Sequence, residues 1–311
     1  LLNAITARIK IIGGMDISEK RKPQDGRITL VVDRVEYDIR VSILPTVYGE
    51  KCVLRLAQKK ALTKDKRELG FTPGELESFD RMLKHPNGIL LVTGPTGSGK
   101  STTLYTALSE LNTEDINIIT VEDPVEANLD GVNQVQVNAK ADMTFASALR
   151  SILRQDPDII MIGEIRDEET AEIAVQASIT GHLVVSTLHT NSAAATIDRV
   201  IDVFPPHQQQ QTRIQLSGVI EGIIAQQLLP KEGGGRVAAY EVMLATPAIR
   251  NLIREGKSFQ IQSMIQTSKK LGMQAMDDAI YDLYMQNKIS AEDAVSFAQE
   301  PAVMQQKVTL F

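Results

Sequence analysis

Apolar positions change period several times along this chain, and each change marks an element. From Leu2 to Ile12 they recur at helical spacing, and Gly13-Gly14 closes the run. From Gly26 the pattern alternates, through Arg27 to Val32, Val35 to Leu44 and Cys52 to Leu56, with turns at Asp33-Arg34 and between Pro45 and Gly49. A helix followed by three alternating runs predicts a small α+β module on an antiparallel sheet. Arg27, Arg40 and Arg55 fall in or beside its strands. Ala57 to Glu68 is polar and lysine-rich and reads as an interdomain linker or an exposed connection. Thr72-Pro73-Gly74-Glu75 then opens a helix reaching about Lys84, with Thr72 as cap, Pro73 first and Glu75 third.

From Gly88 onward, strand-length apolar runs alternate with helical ones. Gly88 to Thr93, Asn117 to Val121, Asp158 to Glu164 and His182 to Thr187 read as strands; Ser101 to Leu111, Phe145 to Gln155 and Glu168 to Thr180 read as helices. This alternation predicts an α/β fold, a largely parallel sheet covered by helices on both faces, with ligands at the carboxyl ends of the strands. Gln208 to Ala225 is expected to be helical, followed by short strands at Gln226 to Leu229 and Val237 to Val242 around Glu232-Gly233-Gly234-Gly235. From about residue 247 the pattern is helical throughout, and the weakly periodic stretch from Pro301 to Phe311 reads as a tail. The expected division is 1–57, a linker at 58–68, and 69–311. The chain begins at Leu1 rather than Met, so its first domain is expected to be truncated at the start.

The chemistry concentrates in Gly94-Pro95-Thr96-Gly97-Ser98-Gly99-Lys100-Ser101-Thr102, between a predicted strand and a predicted helix. This is the P-loop spacing in its full context. Gly94, Gly97 and Gly99 permit backbone angles that let successive N–H groups converge on an anion. The helix start adds partial positive charge, Lys100 can reach the β- and γ-phosphates, and the Ser101 hydroxyl is placed for Mg²⁺. ATP with Mg²⁺ is the expected ligand.

Splitting a γ-phosphate needs a metal and a group that orients water, and acids at strand ends are the obvious suppliers. Glu164 follows an apolar strand and a glycine, while Glu122, Asp123 and Glu126 cluster after another strand. His182 and His189 bracket the run Leu183 to Leu188, so at least one is expected to sense the γ-phosphate. Arg150 and Arg154, four apart, share a helix face; Arg166 follows the Glu164 strand.

Charge narrows the function class. With 33 basic and 39 acidic residues the net charge is −6, which argues against nucleic acid as a partner. Cys52 is the only cysteine, so a disulfide or cysteine zinc site within the chain is excluded, and a cytosolic setting is expected. No run approaches the length of a membrane span.

Four ordered stretches now carry a resemblance: Gly94 to Thr103, Ile118 to Glu126, Arg154 to Asp167, and Gly181 to Thr190. They resemble the Walker A, aspartate box, Walker B and histidine box of the secretion ATPases that drive type II secretion and type IV pili. The resemblance implies a RecA-like ATPase core, a small PAS-like N-terminal domain on a flexible linker, and a ring of six copies. It also implies work on an inner-membrane platform protein, which would hold the ATPase peripheral to that membrane. By the same resemblance Glu122 is the general base, Glu164 acts through Mg²⁺ together with Ser101, and His189 meets the γ-phosphate. Arg40 and Arg55 match the arginines donated by the N-terminal domain, with Arg27 a weaker match.

The branch is mixed. The stretch Met15 to Arg27 resembles the pilus-assembly and type II secretion branch, yet the four-cysteine zinc element of that branch is replaced here by Lys231 to Arg236. Ala248 to Glu255 and Gln266 to Gln274 resemble the pilus-retraction branch, which makes retraction the favoured expectation. Pilus assembly and type II secretion stand as alternatives. From other classes, a DNA-translocating motor and a non-hydrolysing nucleotide-binding scaffold are also carried forward.

Overall fold

The structure, a computed structural model, describes residues 1–58 and 62–309. The chain divides into two compact units, Leu1–Ala61 and Leu62–Phe311.

The first unit is a helix, α1 (Leu2–Ile12), and an antiparallel meander of β1 (Gln24–Val32), β2 (Val35–Thr46) and β3 (Gly49–Gln58). Asp33 and Arg34 both take positive φ, 51° and 66°, as a two-residue hairpin turn between right-twisted strands requires. Strand alternation sends Ile28, Ile39, Val41 and Ile43 to one face, where they are buried with Met15. The other face carries the arginines. Arg27 pairs in register with Arg40, and Arg40 with Arg55, so the three occupy one row across the sheet. Arg27 is held by Asp38 through Nε at 2.5 Å and Nη2 at 2.9 Å.

The second unit begins with α2 (Pro73–Leu83), closed at its start by the expected Thr72/Glu75 capping box. There follow β4 (Gly88–Thr93), α3 (Lys100–Leu111), β5 (Ile118–Glu122), β6 (Asn133–Gln136), α4 (Phe145–Ile152), β7 (Ile159–Ile162), α5 (Glu168–Ile179) and β8 (Leu183–Leu188). The core is completed by α6 (Ala193–Asp202), α7 (Pro206–Val219), β9 (Ile220–Pro230) and β10 (Arg236–Leu244). The sheet order is β10-β9-β4-β8-β7-β5-β6, parallel except for β10. Every residue of β4, β5, β7 and β8 is buried, as strands covered on both faces must be. The carboxyl ends of those four strands therefore share one edge, where the P-loop lies.

Helices α8 (Pro247–Arg254), α9 (Ile261–Thr267), α10 (Met276–Met285), α11 (Ala291–Phe297) and α12 (Pro301–Thr309) follow. Arg250 of α8 turns inward, donating to the carbonyls of Ser217 and Ala245 at 2.8 and 3.0 Å.

Three expectations are corrected. The predicted helix from Gln208 to Ala225 stops at Val219; Ile220 to Ala225 instead extends β9, because this apolar, β-branched run finds β4 as a parallel partner. The stretch from Pro301 is a helix rather than a tail, with Met304 and Val308, four apart, buried against the α10–α11 cluster. From Leu62 the expected linker packs on the second unit: the Lys64 amide donates to Thr106 Oγ1 at 3.1 Å, and Lys66 bridges Asp80 and Glu110. Residues 59–61 of that linker lie outside the described residues, as do 310 and 311 of the expected tail. The polar edge strand β6 has no counterpart in the sequence reading.

Candidate active site

The site is built on the turn from β4 into α3. Gly94 has φ 152°, and a Cβ there would stand 2.4 Å from the Gln226 carbonyl. Gly97 has φ 81° and nothing within 4 Å of its Cβ position, so the loop presents bare backbone to open space. Helix α3 starts without a side-chain cap and without an acid in its first turn. By contrast α2, α4, α5 and α6 are capped by Thr72, Thr144, Asp167 and Ser192. The first N–H groups of α3 are thus left for an external anion.

Lys100 folds back under the loop. Its Nζ lies 2.5 Å from the Gly94 carbonyl, 3.2 Å from that of Pro95 and 3.1 Å from His189 Nδ1. His189 Nε2 in turn stands 3.3 Å from Glu164 Oε1. Because the ammonium can only donate, Nδ1 accepts and Nε2 carries the proton toward Glu164. Burial lowers the pKa of Lys100, and Glu164 pulls it the other way. Glu164 also receives Arg166 Nε at 2.9 Å; Arg166 reaches Asp123 at 3.6 Å and lies over the Phe145 ring at 5.5 Å.

Glu122, at the end of β5, is buried. Tyr105 from α3 donates to its Oε1, while Oε2 accepts from Thr120 Oγ1 at 2.7 Å and Gln134 Nε2 at 3.1 Å. Burial raises the Glu122 pKa above the ordinary 4.5, and the three hydrogen bonds oppose that rise. Gln226 of β9 braces the loop from behind, donating to the Ser98 carbonyl at 2.6 Å and accepting from Thr103 Oγ1 at 2.8 Å.

Two clefts meet at Lys100 and Ser101. The larger of these two, about 550 Å³, is lined by residues 96–103 and by Leu62, Leu69, Leu228, Ala238 and Tyr240, an apolar wall suited to a nucleoside. The smaller, about 220 Å³, is lined by Tyr105, Glu122, Glu126 and Glu164. Lys100, Ser101 and His189 border both. Thr96, Gly97, Ser98, Gly99 and Thr102 line the 550 Å³ cleft, and Pro95, with Thr96, Gly97 and Ser98, lines a third cleft of about 770 Å³.

Among the described residues, no group of three or more His, Cys, Asp and Glu gathers to hold a metal. A hydroxyl, Ser101, and a carboxylate, Glu164, border the smaller cleft. That oxygen pair fits Mg²⁺, a hard cation that takes oxygen ligands; Ser101 and Glu164 would hold it.

Of the sequence-predicted residues, Lys100, Ser101, Glu122, Glu164 and His189 converge, while Arg40 and Arg55 belong to the first unit. His182 lies at the opposite end of β8 from His189, its Nδ1 2.9 Å from the Ala177 carbonyl, and takes no part. Tyr105, Thr120, Gln134 and Gln226 were missed. Gln226 had a signal: a polar residue directly after Ile223-Ile224-Ala225 must find buried partners.

Fold and site together define a P-loop nucleotide-binding protein with a RecA-like core. The chain matches the family profile "Type II/IV secretion system protein" over residues 1–295 and belongs to that family. The type II secretion system protein HxcR of Pseudomonas aeruginosa is 46% identical over 297 residues, covering 88% of this chain and 62% of its own length. The type II secretion system protein E of Xanthomonas campestris pv. campestris is 50% identical over 262 residues, covering 83% and 45% respectively. This chain thus spans roughly half to three fifths of those relatives. A crystal structure of the pilus retraction motor PilT with bound ADP superposes with TM-score 0.79 at 39% identity, covering 97% of this chain and 82% of PilT. No helix among the described residues is long and apolar enough to cross a membrane.

Proposed function

We propose that this chain hydrolyses ATP and, as a ring of six copies in the cytosol, turns hydrolysis into movement of a pilus filament through an inner-membrane platform protein. The observation that carries this reading is the run of contacts from Lys100 through His189 to Glu164 at an uncapped helix start, with Glu122 on the same cleft. Lys100 and the α3 N–H groups take the β- and γ-phosphates. Ser101 and Glu164 hold Mg²⁺, which, when bound, neutralises charge on the phosphate oxygens. Glu122 orients the attacking water and accepts its proton; burial, which raises its pKa, moves it toward the range a base needs near neutral pH. His189 exchanges its lysine contact for the γ-phosphate. Arg40 and Arg55 supply guanidinium groups suited to phosphate oxygens, whereas Arg27 is committed to Asp38.

Retraction is the direction we favour, supported by likeness to the retraction motor across nearly the whole chain. Type II secretion is the second reading, favoured by the higher identity of the secretion relatives. The test is to replace the chromosomal gene with one encoding Lys100→Ala in the source cell, then count pili and assay twitching and secretion. Excess pili without twitching supports retraction. Bald cells overturn retraction in favour of assembly, and lost secretion with normal pili makes this a secretion ATPase.

A further inference from the structure

On the smaller cleft the carboxylate of Glu122 is in buried hydrogen-bond contact with a phenol, that of Tyr105, which the proposed chemistry does not use. Tyr105 is 1% exposed and Glu122 3%. Tyr105 stands in the second turn of α3, the helix whose first turn faces the phosphates, whereas Glu122 ends β5. The phenol oxygen has one proton to give and lone pairs to receive. The Glu126 amide donates to it at 3.1 Å, which turns its own proton toward Glu122 Oε1. The second carboxylate oxygen is taken by Thr120 and Gln134. Among the described residues the donors on Glu122 are these three, all neutral, and only Tyr105 belongs to the phosphate-binding helix.

We propose that Tyr105 is a positioning residue for hydrolysis: it ties Glu122 and the acidic turn at Glu126 to the P-loop helix, so that the base is set by the element that holds the phosphates. The inference rests on the reading of Glu122 as base. The geometry has a direct consequence for the carboxylate. A buried acid without donors would take up a proton, and the Tyr105 hydrogen bond opposes this by favouring the charged form. The phenol itself stays protonated, because burial and the neighbouring Glu122 both push its pKa up. Titratable groups bordering the same cleft among the described residues are Lys100, Asp123, Glu126, Glu164 and His189; of these, only Glu126 touches the phenol oxygen, through its backbone amide, and its carboxyl is left in place by the substitution.

The test is Tyr105→Phe in the full chain, which keeps the ring and its packing and removes one oxygen. Single-turnover hydrolysis of Mg·ATP is measured from pH 5 to 9, beside ATP affinity and the melting temperature; Glu122→Gln is run in parallel. A hydrogen bond to a charged group corresponds to a loss of about tenfold or more in the hydrolysis step. ATP affinity should change less than about twofold, and the acid limb of the rate profile should move up by about one pH unit. An unmoved acid limb with an unchanged rate overturns the inference, and so does a rate loss matched by loss of affinity and of melting temperature. If Glu122→Gln is inactive while Tyr105→Phe matches the parent, only the positioning role falls. If Glu122→Gln keeps full turnover, the base assignment falls and the positioning role with it.

Discussion

The carboxyl ends of β5 and β7 each deliver a glutamate to the smaller cleft, and the two are held by opposite means. Glu122 is buried and, among the described residues, receives neutral donors from Tyr105, Thr120 and Gln134. Glu164 is a quarter exposed and receives Arg166 and His189. Burial raises the pKa of the first, which suits a group that takes up a proton. The second faces solvent and cations, which suits a group that exchanges partners when a divalent ion and phosphates arrive. Two residues of one type thus acquire different chemistry from their surroundings alone.

The strongest way to break this comparison is to neutralise each acid in turn. Glu122→Gln should lower single-turnover hydrolysis by about two to four orders of magnitude while ATP still binds, since general-base catalysis contributes roughly that much. Glu164→Gln should also lower hydrolysis, by about two to three orders of magnitude, but with a raised Mg²⁺ requirement that Glu122→Gln does not share. Equal Mg²⁺ dependence in the two variants would erase the distinction. The assay is phosphate release across a Mg²⁺ titration.

A third buried acid sharpens the point that burial alone does not make a base. Glu241 of β10 accepts from the Ala193 amide at 2.8 Å and the Met276 amide at 3.1 Å, joining the starts of α6 and α10. Glu241→Gln removes one of two acceptor oxygens and should cost about 1–3 kcal/mol of stability in urea unfolding. Burial raises its pKa above 4.5, so the folded state binds the proton more tightly than the unfolded state. The stability this gives is complete below 4.5 and is lost as pH rises through the folded value. The gap between parent and variant should therefore widen as pH falls toward 4.5.

The smallest effect concerns the two histidines around β8. Because His182 bonds to the Ala177 carbonyl at the far end of the strand, His182→Ala should leave turnover within about twofold. His189→Ala, measured beside it, should fall well below that.

Much of this is legible in the amino-acid sequence alone. The P-loop spacing fixed the β4–α3 turn, because glycine at three positions and lysine before the helix have one physical use together. Alternating strands and helices indicated the parallel sheet, and strand ends pointed to Glu122 and Glu164. Register was not legible: nothing in the spacing of Arg27, Arg40 and Arg55 reveals that they share a row, since that depends on the lengths of two hairpin turns. Short apolar runs were ambiguous in the same way. Ile220 to Ala225 could continue a helix until β4 was available as a partner. The donors around Glu122 come from three elements, and only folding brings Tyr105, Thr120 and Gln134 to one carboxylate. The C-terminal helix α12 was hidden because just Met304 and Val308 mark its buried face.

We infer that the β4–α3 turn and the two strand-end glutamates form an ATP-hydrolysing site. The most direct test is Mg²⁺-dependent phosphate release from ATP by the purified chain, with Lys100→Ala as the control. The parent should release phosphate steadily and Lys100→Ala only at background, a loss of at least about a hundredfold. Equal release from both, or none from a parent that binds ATP, would contradict it.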